Sequence, residues 1–583
     1  MKTGRTVSRL KWPRLVAVAV GIVVLGAASL ASDRATDVLL RAGAAMQSAD
    51  YATAIRVLES SGDRLSRDAR VARMLSLAHL KRHEPELART SALKALALDP
   101  ATPQPLIYLG VAAAQAGDRE AAFDWLRKAK ATAKLDMTQL DAEADLEPLR
   151  SDARYAALMP RPEDFRNPFV EPVNVVREWD GESPGDQFGW IARVIGDVDG
   201  DGIPDFVTSA PTKDLHGANA GRVYVYSSGT GRLLWSVDGA PGDQLGSGIE
   251  AAGDVDGDGT PDVIASAPGI DTAYVYSGRE GRVLLTLHGE AKGDGFGTHV
   301  ASVGDFDGDG YADVIVGAPG NNAGGPGAGR AYVYSGKDGR VLQTLTGERA
   351  GDAFGSTVAG YSSGSQHFVI VGAPGAGSAK NGRVYVYRDG AARPAFVIDA
   401  DPGGVALGAM FVAVLGDVDG DGVPDVFASD WSDAGKGPRT GKIYVYSGRT
   451  GRRLYALAGE TSGEGFGTTH SAAGDVNGDG RADLIVGSWQ YSQAAQSGGR
   501  AYLFDGATGH LLRTYTCRTP GDTFGFDAVG LGATDANGQA ELLITSGWSA
   551  VHGFHSGRIF LLSSGVPGHA SASLAPRDGA AHR

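Results

Sequence analysis

Asp305-Phe-Asp-Gly-Asp-Gly-Tyr-Ala-Asp313, running straight into Val-Ile-Val-Gly-Ala-Pro319, decides how this chain is read. Carboxylates stand at positions 1, 3, 5 and 9 of the nine-residue string, and Gly310 stands at position 6. Four near-copies occur elsewhere. They place Asp197, Asp199, Asp201 and Asp205 in residues 197–205, and Asp254, Asp256, Asp258 and Asp262 in residues 254–262. Asp417, Asp419, Asp421 and Asp425 fill residues 417–425, and Asp475, Asn477, Asp479 and Asp483 fill residues 475–483. A hard cation such as Ca²⁺ takes six to eight oxygens at about 2.3–2.6 Å, which a tight loop of alternating acids supplies. Ile203, Thr260, Tyr311, Val423 and Arg481 at position 7 complete each candidate ligand set with Asp305, Asp307, Asp309, Asp313 and their counterparts. Glycine at position 6 allows the sharp turn.

An EF-hand would need a bidentate Glu at position 12 and a helix on each side. Position 12 is Thr208, Ala265, Val316, Ala428 or Val486, none of which can serve. The run 313–319 is short, β-branched and closed by Pro, so the flanks read as strands. The expectation is a calcium β-hairpin present about five times.

At 583 residues the chain exceeds a single core. Its 86 glycines have no three-residue period, which excludes collagen. Cys517 is the only cysteine, so no internal disulfide forms. Residues 1–160 carry a net charge of +5 and the remainder −19. Nineteen of the acids in the second part are the Asp residues of the five loops, so the acidity is largely metal chemistry. No basic stripe accompanies the aromatics, so nucleic acid is not an expected partner.

Lys2, Arg5, Arg9, Lys11 and Arg14 precede an uncharged, mostly apolar run from Leu15 to Leu30, and Ser29-Leu-Ala31 offers a cleavage site. Residues 1–31 are therefore expected to be a signal peptide, or else an uncleaved N-terminal anchor and the only membrane contact. Either places the bulk of the chain at the cell surface, in a periplasm or outside the cell.

Residues 33–159 are rich in Ala and Leu at helical spacing. Ala54, Ala88 and Ala122 are 34 residues apart, as are Ala95 and Ala129, with Ser61 in the weaker first unit. This resembles about three tetratricopeptide repeats, with a plain helical bundle as the alternative. Residues 146–158 read as a capping helix. Pro160, Pro162, Pro168 and Pro172 mark a stiff linker over 160–172.

From residue 173 a longer period takes over. A Gly-Asp-x-Phe-Gly type motif recurs at Phe188-Gly189, Leu245-Gly246, Phe296-Gly297, Phe354-Gly355, Leu407-Gly408, Phe466-Gly467 and Phe524-Gly525, spaced 51 to 59 residues apart. Each is followed by the acidic loop or its remnant, a Gly-Ala-Pro type end, and two further strand-like runs. Four short strands repeated seven times predict an all-β, seven-bladed propeller over 173–566, followed by a disordered tail at 567–583. The last blade lacks an outer strand, and the orphan run Val175-Val-Arg-Glu-Trp-Asp-Gly181 is expected to supply it, leaving no open edge.

Phe-Gly, the acidic loop and Gly-Ala-Pro in fixed order resemble the FG-GAP repeat of integrin alpha-subunit propellers, over about two thirds of the chain. The resemblance implies a non-enzymatic adhesion or protein-interaction module. Blade 4 departs from it, with Ser362-Ser-Gly-Ser-Gln366 in place of a loop. Blade 7 has Ala533, Asp535, Asn537 and Glu541 at the ligand positions, so weak or no binding is expected there. Blades 5 to 7 replace Ala-Pro by Asp430-Trp431, Ser488-Trp489 and Gly547-Trp548.

Catalytic patterns are scarce. Gly360-Tyr-Ser-Ser-Gly364 matches a nucleophile-elbow string, but it sits in a hairpin and reads as a turn. Trp431, Trp489 and Trp548 are candidates for a ligand face or for packing between blades, with Trp431 expected to be the most exposed. A protein or glycan is the expected partner; a carbohydrate-binding or accessory propeller of a cell-envelope enzyme system is the alternative to adhesion.

Overall fold

The computed structural model describes residues 34–60, 67–363, 366–469, 472–532 and 539–567. Residues 1–31, expected to be a targeting segment, Ser61, most of blade 7's acidic loop and the tail from 568 on lie outside the described residues.

Among the described residues six helices come first: α1 Arg34–Gln47, α2 Tyr51–Glu59, α3 Ala69–Lys81, α4 Pro85–Leu98, α5 Gln104–Gln115 and α6 Arg119–Ala131. Asp50, Asp68 and Asp118 start α2, α3 and α6 by accepting a backbone N–H from the first turn. The helices pair in sequence, and α2, α4 and α6 begin 34 residues apart. Ala54, Ala88 and Ala122 are fully buried, where only a small side chain lets neighbouring helices approach. The expected capping helix is different in form. Over 146–158 the chain forms the end of a 3-10 turn, Ala144–Leu149, with Pro148 inside it, and then one helical turn at Ala153–Ala156; a further 3-10 turn, Met137–Ala142, precedes them. Leu146, Leu149, Tyr155 and Leu158 nonetheless close the core of the helical region.

Seven four-stranded antiparallel sheets follow. Blade 1 is built from Ala192–Gly196, Asp205–Ala210, Arg222–Tyr226 and Leu233–Asp238 in that spatial order. Blades 2 to 6 repeat the order at 249–288, 300–346, 357–399, 412–458 and 472–516. Second strands such as Asp313–Ala318 are buried at every residue, because a neighbouring blade covers each face. This explains their unbroken apolar sequence. Phe188, Phe296, Phe354, Phe466 and Phe524 are at most 2% exposed and fill the cores between blades. The glycine after each ring is required. At Gly355 φ is +90°, and a Cβ would stand 2.2 Å from the carbonyl oxygen of Arg330.

Blade 7 consists of Ala528–Gly532, Glu541–Ser546, Arg558–Ser563 and the N-terminal strand Val175–Asp180. Trp179 pairs with Ile559 and Asp180 with Arg558, so the ring closes as the orphan strand predicted. Arg558 ion-pairs with Glu178 and Asp180 across this seam. Arg193 joins Glu250 and Asp527, linking the inner ends of blades 1, 2 and 7.

The stiff linker over 160–172 is corrected in its second half. Val170 N–H donates to Thr516 O at 2.9 Å, and Arg518 N–H donates to Pro168 O at 2.7 Å. The Glu171 carboxylate accepts from Thr516 N at 2.7 Å and from the Thr514 hydroxyl at 2.9 Å. Phe169 inserts between blades 6 and 7, with its ring 5.1 Å from Phe524 and 5.2 Å from Phe560. The segment therefore extends the outer edge of blade 6. Among the described residues no helix is long and apolar enough to cross a membrane.

Candidate metal loops and the aromatic face

All five acidic loops join the first and second strands of a blade, so they lie on one face of the ring. Each carboxylate has a defined backbone task. The position-1 Asp folds the turn over itself: Asp197 accepts Gly200 N at 2.7 Å and Gly202 N at 2.8 Å, and Asp254, Asp417 and Asp475 do the same. Asp305 accepts from Asp309 N and Gly310 N. Position 3 accepts the N–H of position 5 through one oxygen: Asp199, Asp256, Asp307, Asp419 and the amide oxygen of Asn477 at 2.9–3.2 Å. Position 5, at Asp201, Asp258, Asp309, Asp421 and Asp479, takes the N–H of Ile203, Thr260, Tyr311, Val423 and Arg481.

Position 9 is the anchor. Asp205, Asp262, Asp313, Asp425 and Asp483 are fully buried. One oxygen of Asp262 accepts Val255 N at 2.8 Å, and the other accepts Gly278 N at 2.9 Å from the turn between the third and fourth strands. The other four repeat this bridge. Burial pushes the carboxyls of Asp205, Asp262, Asp313 and Asp425 up to about 6, despite these bonds.

In four loops the carboxylates of positions 1, 3 and 9 bring one oxygen each within 4.8 Å of the others: Asp197, Asp199 and Asp205; Asp254, Asp256 and Asp262; Asp305, Asp307 and Asp313; Asp417, Asp419 and Asp425. Three acids that close, one of them buried, suit a hard divalent cation. Position 5 lies outside these groups. In blade 6 the amide oxygen of Asn477 stands for the third carboxylate, and an amide oxygen is also a fit ligand. The Asn477 Nδ2 donates to Asp505 at 3.3 Å.

Sequence reading missed the basic residues that the turn between third and fourth strands brings to the loops. Arg340 meets Asp307 at 2.6 Å, Arg282 meets Asp256 at 3.4 Å, and Arg449 meets Asp421 at 3.2 Å. They stand about 25 to 35 residues away in sequence, and only the blade fold shows the pairing.

Blade 4 has the predicted tight hairpin, Thr357–Ser363 paired with Gln366–Ala373. Ser362 Oγ donates to the carbonyl of Asp305 at 2.8 Å and lies 2.8 Å from His367 Nδ1. Its proton is held by a carbonyl, so the pair bridges blades 3 and 4 and is not arranged as a nucleophile and base.

The tryptophans lie on the opposite face. Trp431 is 6% and Trp489 7% exposed, while Trp548 is half-buried. The expectation that Trp431 is the most exposed is therefore overturned. Asp430 beside it turns inward, accepting Val405 N at 2.7 Å, and draws the start of the loop down. The Trp489 ring stands 5.0 Å from Trp548, 5.4 Å from Phe526 and 6.5 Å from Trp431. Trp190 extends the cluster through Phe526 at 4.7 Å. The rings thus touch one another across neighbouring blades.

Comparison with known proteins agrees with this architecture. The FG-GAP repeat family matches residues 188–226, 248–285 and 296–334, and the FG-GAP-like repeat matches residues 417–486. Integrin alpha-4 of Xenopus laevis is 34% identical over 163 residues, 25% of this chain and 16% of that protein. Integrin alpha-6 of Gallus gallus is 31% identical over 154 residues, 24% and 14% respectively. Integrin alpha pat-2 of Caenorhabditis briggsae is 32% identical over 209 residues, 30% and 16%. The matches thus span about a sixth of the relatives' length. The crystal structure of BamB from Moraxella catarrhalis superposes with a TM-score of 0.33 at 13% identity, over 64% of this chain and 85% of that one, which carries no weight here. The chain carries FG-GAP repeats on a seven-bladed propeller preceded by helices, and part of that propeller is homologous to integrin alpha chains.

Proposed function

We propose that the protein is an exported, calcium-stabilised propeller that acts without catalysis as an adhesion or protein-interaction module. One observation carries the calcium reading: the same three-carboxylate group recurs on the same hairpin of four blades, beside a fifth loop with Asn477. A bound Ca²⁺ supplies positive charge that lets these acids share a few ångströms. The chain's own residues do the rest. Position 1 shapes the turn, and position 9 ties it to the adjacent turn. Similarity to integrin alpha chains supports a protein partner, and three helix pairs, read as tetratricopeptide-like, offer a second surface. Capture from envelope extracts on the immobilised full chain tests this, in calcium and in EDTA. A saturable, calcium-dependent protein partner is the expected result. Saturable glycan-array binding without a protein partner would replace it by the carbohydrate reading.

A further inference from the structure

Six of the seven blades begin their third strand with a basic residue: Arg222, Arg330, Arg383, Lys442, Arg500 and Arg558. Two residues on, each carries a ring, namely Tyr224, Tyr332, Tyr385, Tyr444, Tyr502 or Phe560, and none of these rings is more than 3% exposed. In five of the six blades the cation lies 4.5–5.8 Å from the ring centroid. In all six a carboxylate meets its charge: Asp238, Glu290, Asp399, Asp401, Glu460 or Glu178.

Blade 2 departs from this arrangement in three ways at once. Thr272 stands in place of the base, with its hydroxyl 3.1 Å from His288 Nδ1. Ala240 stands where the connections into blades 3 and 6 carry Glu290 and Glu460. The connection between second and third strands is four residues long, 268–271, against nine or eleven in the other blades. Tyr274 is consequently half-buried, unlike its six counterparts. A groove of about 370 Å³ opens between blades 1 and 2, lined by Val237, Asp243, Leu245, Tyr274, Tyr276 and Val283 among others. Asp238 at its rim already holds Arg222. Asp243 therefore supplies the groove's charge, and it lies close enough to help push the Tyr274 hydroxyl up, after burial.

We propose that this groove binds the guanidinium group of an arginine supplied by a partner protein, stacked on Tyr274 and paired with Asp243. The partner's side chain would occupy in trans the place that a basic residue of the chain itself holds in the other six blades. Arginine is favoured over lysine because a planar cation stacks on a ring and five of the six internal examples are Arg. The proposal rests on the reading of the propeller as an interaction module, but its test needs no partner.

N-acetyl-arginine-N-methylamide is titrated into the full chain in calcium, followed by ligand-observed NMR. Saturable binding with a Kd on the order of 1–10 mM is expected for so few atoms. The neutral citrulline analogue should bind about tenfold more weakly or worse. Thr272→Arg restores a base two residues before Tyr274, as in the other six blades, so it should abolish binding and raise the melting temperature. Asp243→Asn keeps an oxygen for its bond from Ala240 N, so it should weaken binding about tenfold with little change in melting. Equal binding of citrulline, binding unchanged by both variants, or no saturation at all would overturn the proposal. Should Thr272→Arg fail to fold, Asp243→Asn and the citrulline comparison decide. Loss of arginine binding with a captured partner intact would refute this site alone.

Discussion

Asp262 and Asp256 stand in the same loop and have different work. Asp262 satisfies two buried or half-buried N–H groups, and their orphaning costs about 1–3 kcal/mol each. Asp262→Ala should therefore lower stability by about 2–6 kcal/mol in EDTA as well as in calcium. Asp256→Ala should leave the EDTA melt nearly unchanged and lose calcium-dependent stabilisation. Denaturant titrations of both variants in both buffers check this; identical behaviour would refute the division of labour. The aromatic cluster gives a second prediction at this scale. Trp431→Ala and Trp489→Ala should each cost about 3–5 kcal/mol, as buried aromatic truncations do, and half-buried Trp548→Ala less. The spacing of acids in the loops was legible in the sequence because ligands within nine residues meet by local turn geometry. The burial of Trp431 was not, since its neighbours Trp489 and Gly465 come from another blade.

Two segments at the seam behave as parts of the propeller although they precede it. A truncation beginning at Ser183 removes Val175–Asp180 and bares the edge of Arg558–Ser563, so it should aggregate and melt earlier than one beginning at Arg161. A truncation beginning at Pro172 keeps that strand but loses Phe169. Burying a Phe side chain is worth about 1.5–3 kcal/mol, so this form should fall between the other two in melting temperature. Equal melting of the forms starting at Arg161 and Pro172 would show that Phe169 only leans on the blades. The closing strand could be foreseen because the repeat count left one strand missing and one spare. The docking of 165–172 could not, because four prolines within thirteen residues look like a spacer until Thr516 and Phe560 are placed beside them.

For the whole molecule, calcium is predicted to add stability at several blades together. EDTA should lower the melting temperature of the full chain, and calorimetric titration should find four or five calcium equivalents. Mg²⁺ should substitute poorly, since it demands a compact octahedral shell. Fewer than three equivalents would count strongly against the assignment. The sequence alone determined the number of blades, the loops, the helical region and the closing strand. Each of these follows from patterns within one repeat or from counting repeats, and such patterns survive without knowledge of neighbours. Only the tertiary structure decided which tryptophan is buried, that residues 168–171 line the edge of blade 6, and that blade 2 leaves Tyr274 half uncovered. Those outcomes depend on side chains from adjoining blades or distant segments meeting across an interface. Contacts of that kind exist only once the ring has closed.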